Sequence, residues 1–246
     1  MPQAFAEREM RDSAMDKIAV KASIADDFQA AEAIKALRTN ILLCGDDVRA
    51  IGLTSYGAAE GKTSISFQLA ASLAQNKKSV LLIDADLRQA SLQERLAIRD
   101  KIDGLSQYLT GRAEMEDAVK QTDVPGLFVM FAGSVVSDPS ELLGGERFKR
   151  LIARLKEAVD YIIVDTAALG QVIDCAAAAP ALDGVLLVVD ASHSSCKLER
   201  RIKGQLERTG CRILGVVLNR VDIKRRGRAH GNGVRTHLVD RGPMRR

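Results

Sequence analysis

Tryptophan is absent from this 246-residue chain and aromatic residues make up only 4% of it, so large rings contribute little to its core. Alanine, leucine, isoleucine and valine dominate instead, a composition suited to buried parallel strands covered by helices. The four cysteines, Cys44, Cys175, Cys196 and Cys211, are far apart and form no C-x-x-C pair, which argues against a zinc site and against a disulfide framework. No apolar run approaches the roughly 18 to 20 residues of a membrane-spanning helix. The stretch Met1 to Ser13 is polar and charged, without the apolar centre of a signal peptide, so the expected address is the cytoplasm. No internal repeat is visible.

Apolar material is ample, at 46% of residues, and suffices for one sizeable α/β domain. Residues 1–26 have weak periodicity and mixed charge and read as an N-terminal arm. From Asp27 the pattern turns helical, with Ala30, Ile34, Leu37 and Ile41 at three- or four-residue spacing, and Gly45 ends it. Glu32, Lys35 and Arg38 lie along one ridge of that helix. Six β-rich apolar runs follow: Val48 to Thr54, Ser79 to Ile83, Leu127 to Phe131, Tyr161 to Val164, Val185 to Val189 and Ile213 to Leu218. Helical patterns separate them, clearest at Ile65, Leu69 and Leu73, at Phe148, Leu151, Ile152 and Leu155, and at Leu198, Ile202 and Leu206. This alternation predicts a doubly wound, mostly parallel sheet flanked by helices, with its ligand beyond the carboxyl ends of the strands. The domain would span residues 27–222. Beyond it, residues 223–246 hold eight Lys or Arg against one Asp, a local +7 within an overall +4. With few bulky apolar residues, that stretch is expected to be a basic, disordered tail. Near an anionic membrane each of its cations would contribute about 1 kcal/mol of attraction.

The first apolar run breaks into Tyr56-Gly57-Ala58-Ala59-Glu60-Gly61-Lys62-Thr63-Ser64, which reads as a phosphate-binding loop. Small residues let consecutive backbone N–H groups curl round a polyphosphate, and the helix that follows presents its positive end. Lys62 would reach the phosphates, and the Thr63 hydroxyl would ligate Mg²⁺. The strict pattern wants glycine where Tyr56 stands, and a glycine comes one place later at Gly57. Acids at strand ends complete the site. Leu81-Leu82-Ile83 leads into Asp84 and Asp86, and Tyr161 to Val164 leads into Asp165. Asp165 would hold Mg²⁺, Asp84 would ligate it or activate an attacking hydroxyl, and Asp86 is a second metal or base candidate.

Asp84-Ala85-Asp86-Leu87-Arg88 resembles the second acidic motif of the bacterial tyrosine kinases that regulate capsule and exopolysaccharide synthesis. Their domain is a phosphate-loop NTPase of the deviant Walker type. Flanking segments share the likeness: Glu32-Ala33-Ile34-Lys35-Ala36-Leu37-Arg38-Thr39-Asn40 resembles that family's oligomerisation helix. Further matches are Gly104-Leu105-Ser106, Ala132-Gly133 through Leu143, Asp174, and Gly215 through Asn219. The resemblance implies ATP and Mg²⁺ as cofactors and protein-tyrosine phosphorylation as the activity. It also implies a separate membrane-anchored polysaccharide co-polymerase as activating partner, recruitment to the inner face of the plasma membrane, self-association through Glu32, Lys35 and Arg38, and no nucleic acid. In the wider group the last strand's asparagine reads the base, which makes Asn219 an adenine contact.

Departures accompany the likeness. Ala58-Ala59 replace the family's Pro-Gly, and Ala167-Ala168 replace two prolines after the third acidic motif. Lys35 stands where the oligomerisation motif has Arg, losing planar bidentate contacts. No tyrosine follows Tyr161, so phosphorylation of a C-terminal tail within the family's own pattern is chemically excluded. Two other readings remain. One is a partition- or septum-site-type ATPase, although those relatives carry a lysine five residues before the main one, where this chain has Gly57. The other is a nucleotide-binding adaptor that lacks catalysis.

Overall fold

The computed structural model describes residues 17–20, 28–89, 91–192, 203–222 and 232–238, the last as backbone alone. An eight-stranded sheet forms its centre. Helix α1 (Phe28–Leu42) leads to β1 (Ala50–Ser55), α2 (Lys62–Gln75) and β2 (Val80–Ala85). Three short helices, α3 (Ser91–Arg95), α4 (Leu105–Leu109) and α5 (Met115–Ala118), precede β3 (Val119–Gln121) and β4 (Leu127–Met130). Helices α6 (Pro139–Gly144) and α7 (Glu146–Ala158) lead to β5 (Tyr161–Thr166), and α8 (Asp174–Ala178) leads to β6 (Gly184–Asp190). Strands β7 (Ile213–Asp222) and β8 (Asn232–Leu238) complete the order β3-β4-β2-β5-β1-β6-β7-β8.

Pairing is parallel from β4 to β7 and antiparallel only where β3 and β8 close the edges. Every residue of β1, β2 and β6 is buried, the signature of strands covered on both faces. Alternate residues divide between two apolar layers. Leu81 and Ile83 join Phe148, Leu151 and Leu155 of α7 on one face, while Val80 and Leu82 join Leu37, Ile41, Phe67 and Leu73 on the other. Helix α7 buries a single stripe of Phe148, Leu151, Ile152 and Leu155, as its spacing requires. Helix α2 buries Ala70, Ala71, Ser72 and Ala74 as well as its large residues, because α1 covers the side turned away from the sheet. Each fully buried Leu or Phe contributes about 1.5–3 kcal/mol.

All six expected strands are present, with three starts matched and the other ends shifted by one to four residues. Two strands are additional. β3 is only three residues long, and β8 lies inside the segment expected to be a disordered tail. There Val234, Thr236 and Leu238 alternate with Arg235 and His237, a period-two pattern masked by the surrounding arginines. The antiparallel partner β7 supplies the backbone hydrogen bonds that such a polar strand needs. Residues 223–231 and 239–246 of the expected tail lie outside the described residues, as do Leu198 and Ile202. Of the N-terminal arm, Ile18 is bridged to Thr122 and Val20 is fully buried.

Candidate functional site

Strand β1 delivers the chain to the phosphate loop, which a short set of bonds holds in shape. Ser55 Oγ donates to the Gly57 carbonyl at 2.6 Å, and the Gly57 N–H donates to Glu60 Oε1 at 2.9 Å. Burial raises the Glu60 pKa against that bond and the nearby Lys62 charge. Gly61 turns the chain with φ of +95°, and a methyl there would meet the Asn219 amide nitrogen at 2.1 Å. Helix α2 then starts at Lys62, which is buried. Ala59 adopts a φ of +58°. This left-handed conformation costs a residue with a Cβ about 1–2 kcal/mol, and it falls where the resembling kinases carry glycine.

Asn219, expected to contact the base, is tied to the chain on both sides of its amide. Its Nδ2 donates to the Glu60 carbonyl at 2.9 Å, and its Oδ1 accepts the Arg220 N–H at 2.9 Å. Both ends of the amide are thus engaged by backbone, and the residue braces the phosphate loop from β7.

Parallel pairing sets Asp84 of β2 directly beside Asp165 of β5. Their surroundings differ. Asp84 accepts the Asp86 N–H at 3.2 Å on Oδ1 and the Leu92 N–H at 3.3 Å on Oδ2. Burial, and then the neighbouring Asp165 charge, push its pKa well above the usual carboxylate range. Asp165 Oδ1 accepts Ser66 Oγ at 3.2 Å, while Oδ2 is buried with no hydrogen-bond partner. Burial raises the Asp165 pKa to about 6, against the stabilising Thr63 hydroxyl and Lys62 charge. The Thr63 hydroxyl itself pairs with Ser91 Oγ at 3.1 Å.

A cavity of about 390 Å³ opens over this loop. Ala58, Ala59, Gly61, Lys62, Thr63 and Ser64 form its floor, and Asp86, Arg88, Ala167, Ala168 and Arg220 are among its walls. Asp86 reaches the cavity; Asp84, Asp165 and Asn219 are not among its lining residues, and Asp165 lies buried behind Lys62 and Thr63. Among the described residues no three His, Cys, Asp or Glu side chains cluster as a metal cage. Mg²⁺ in nucleotide sites takes one or two carboxylates plus phosphate and water oxygens, so the orphan Asp165 oxygen beside Thr63 fits that demand.

Ser66 and Arg220 escaped the sequence reading, as did the pairing of Arg88 with Asp174. Ser66 stands one helical turn after Lys62, a spacing that could have revealed it. Arg88 forks onto Asp174, Nε to Oδ2 at 2.7 Å and Nη2 to Oδ1 at 3.0 Å, which ties the loop after β2 to the start of α8. Arg220, at a φ of +55°, pairs Nη1 with Asp190 Oδ2 at 2.6 Å. Both pairs join residues far apart in sequence and have no local signal. Arg38, expected at an interface between copies, donates within its own chain, Nη1 to the Ser72 carbonyl at 3.1 Å and to its hydroxyl at 3.2 Å. Lys35 and Glu32 pair with each other at the surface, at 2.7 Å.

Comparison with known proteins agrees with this geometry. The CobQ/CobB/MinD/ParA nucleotide-binding domain matches residues 51–244. Tyrosine-protein kinase CpsD of Streptococcus pneumoniae is 39% identical over 195 residues, covering 79% of this chain and 86% of CpsD. Succinoglycan biosynthesis transport protein ExoP of Rhizobium meliloti is 32% identical over 213 residues, which are 85% of this chain and 26% of ExoP. The crystal structure of the VpsO kinase domain superposes with a TM-score of 0.74 at 36% identity, covering 78% of this chain and 94% of that one. The septum site-determining protein MinD of Pyrococcus horikoshii, complexed with Mg-ADP, is more distant, with a TM-score of 0.60 at 28% identity over 70% of each chain. The chain therefore belongs to the bacterial tyrosine-kinase family, within the nucleotide-binding domains of the CobQ/CobB/MinD/ParA type.

Proposed function

We propose that this protein binds Mg-ATP and transfers its γ-phosphoryl group to tyrosine on another protein, in the control of capsular or exopolysaccharide polymerisation and export. The observation that carries the reading is the buried, unpartnered Asp165 oxygen at the end of β5, beside Lys62 and Thr63 at the mouth of a glycine-turned loop. The loop N–H groups and the α2 N-terminus would hold the phosphates, and Lys62 would offset the charge that builds on them. Mg²⁺, held by Thr63 and Asp165, would supply Lewis-acid neutralisation of the phosphate oxygens. Asp86 lines the cavity and stands ready to accept the acceptor's phenolic proton. Asp84, fixed by two backbone N–H groups, orients the loop that carries Asp86.

The likeness to ExoP and CpsD supports the polysaccharide role, and it favours a kinase over a septum-site ATPase, whose structural match is weaker. Gly57 supports the same choice, since no lysine stands five residues before Lys62. No helix among the described residues is long and apolar enough to cross a membrane. A separate membrane-anchored co-polymerase is the partner we propose, with the chain working in the cytoplasm at the inner membrane face. Incubation with γ-labelled ATP, Mg²⁺ and the partner's cytoplasmic segment tests this. Labelled phosphotyrosine on the partner or on an added tyrosine peptide is the expected result. Nucleotide binding without any phosphotyrosine would leave the adaptor reading in its place.

A further inference from the structure

We propose that the phosphoryl acceptor is a tyrosine flanked by acidic residues, drawn to the β2–β5 side of the cavity by Arg95. The inference rests on the kinase reading above. The sheet order sets β5 and β2 on one side of β1, and β6 and β7 on the other. Lys62, Thr63 and Asp165 mark the phosphate end at β1 and β5. Arg220, within β7, lines the same cavity on the far side, where the nucleoside end would extend away from Asp165 and Asp86. In-line transfer brings the acceptor oxygen in opposite the leaving oxygen, and therefore from the β5–β2 side.

That wall is formed by Asp86, Arg88, Ser91 and Arg95 after β2, and by Gln171 and Val172 after β5. Its charges are unequal. Arg88 is committed to the buried Asp174, whereas Arg95 is exposed and has no ion-pair partner among the described residues. Asp86 is the only carboxylate among the described residues that line the cavity; Glu94 precedes Arg95 but does not line it. Ile173, 63% exposed next to Val172, gives the same rim an apolar edge for a phenol ring. In the reaction the tyrosine Oη forms a bond to the γ-phosphorus as the β–γ bridging P–O bond breaks. ADP leaves with that electron pair, and the phenolic proton passes to Asp86. Arg95 touches none of the reacting atoms and acts on the residues flanking the tyrosine.

Two peptides with a single tyrosine, one flanked by glutamates and one by lysines, test this through the ratio of their kcat/KM values. A single rim charge pair predicts a preference of roughly fivefold or more for the acidic peptide. In Arg95→Glu the ratio should fall to one or below. Because both peptides are read on the same variant, any general loss of turnover or folding cancels. A ratio near one in the wild type, or a preference that survives Arg95→Glu, overturns this proposal alone. Bound Mg-ATP with no phosphate on either peptide overturns the kinase reading and this proposal with it.

Discussion

Asp84 and Asp165 are register partners at the ends of adjacent strands, equally buried, yet they occupy opposite situations. The loop after β2 turns back at once, so the backbone N–H groups of Asp86 and Leu92 close over both Asp84 oxygens. The chain after β5 runs away toward Tyr56 instead, with the Leu169 N–H donating to the Ser55 carbonyl at 2.9 Å, and one buried Asp165 oxygen is left without a hydrogen-bond partner. A carboxylate at a strand end is therefore only half of a metal-ligand argument. The path of the following residues decides whether it is a structural anchor or a free ligand.

The sharpest way to break that contrast is Asp165→Asn, which should lower phosphoryl transfer by roughly two to three orders of magnitude while ATP binding weakens much less. Radiolabel transfer and calorimetry read the two quantities separately, and equal losses in both would place Asp165 in nucleotide binding rather than metal holding. Next in size is a pH effect on the nucleotide-free protein. The folded Asp165 pKa of about 6 lies above its ordinary value of 3.8, so the fold favours the protonated carboxyl. Stability from that group is fully present below about pH 4 and is lost as pH rises through about 6. The ceiling is on the order of 3 kcal/mol, at about 1.4 kcal/mol per pH unit. Thermal melts should show this slope in the wild type and a shallower one in Asp165→Asn; identical slopes would contradict the burial argument.

Lys62→Ala removes a charge that serves both halves of the site and should weaken ATP binding by about 1.5–3 kcal/mol, roughly ten- to a hundredfold. Unchanged affinity by calorimetry would refute the phosphate-loop assignment. The smallest expected effect is that of Ala59→Gly. Relief of the left-handed alanine should raise stability or ATP affinity by about 1 kcal/mol, read from melting and titration together. A loss in both would mean that the alanine methyl makes a contact the loop needs.

Legibility in the sequence followed the range of the interactions. Strands β1, β2, β5 and β6 are near-continuous apolar runs, so their existence and the acids at their ends were readable, as was the loop ending in Gly61-Lys62-Thr63. The difference between Asp84 and Asp165 was not readable, because it depends on which backbone N–H groups fold back over each carboxylate. Arg88–Asp174 and Arg220–Asp190 join different loops and leave no periodic trace. Arg38 belonged to a correctly read ridge, but the ridge does not tell that its guanidinium reaches α2. β8 was hidden by composition, since a short alternating strand among arginines resembles an unstructured basic stretch.

Mn²⁺ binding in the presence of saturating ATP, counted by electron paramagnetic resonance in the wild type, Asp165→Asn and Asp84→Asn, tests the contrast between the two acids most directly. The account predicts that Mn²⁺ affinity falls at least about tenfold in Asp165→Asn, the loss of one charged ligand, and stays within about threefold of wild type in Asp84→Asn. A larger loss in Asp84→Asn than in Asp165→Asn would contradict it.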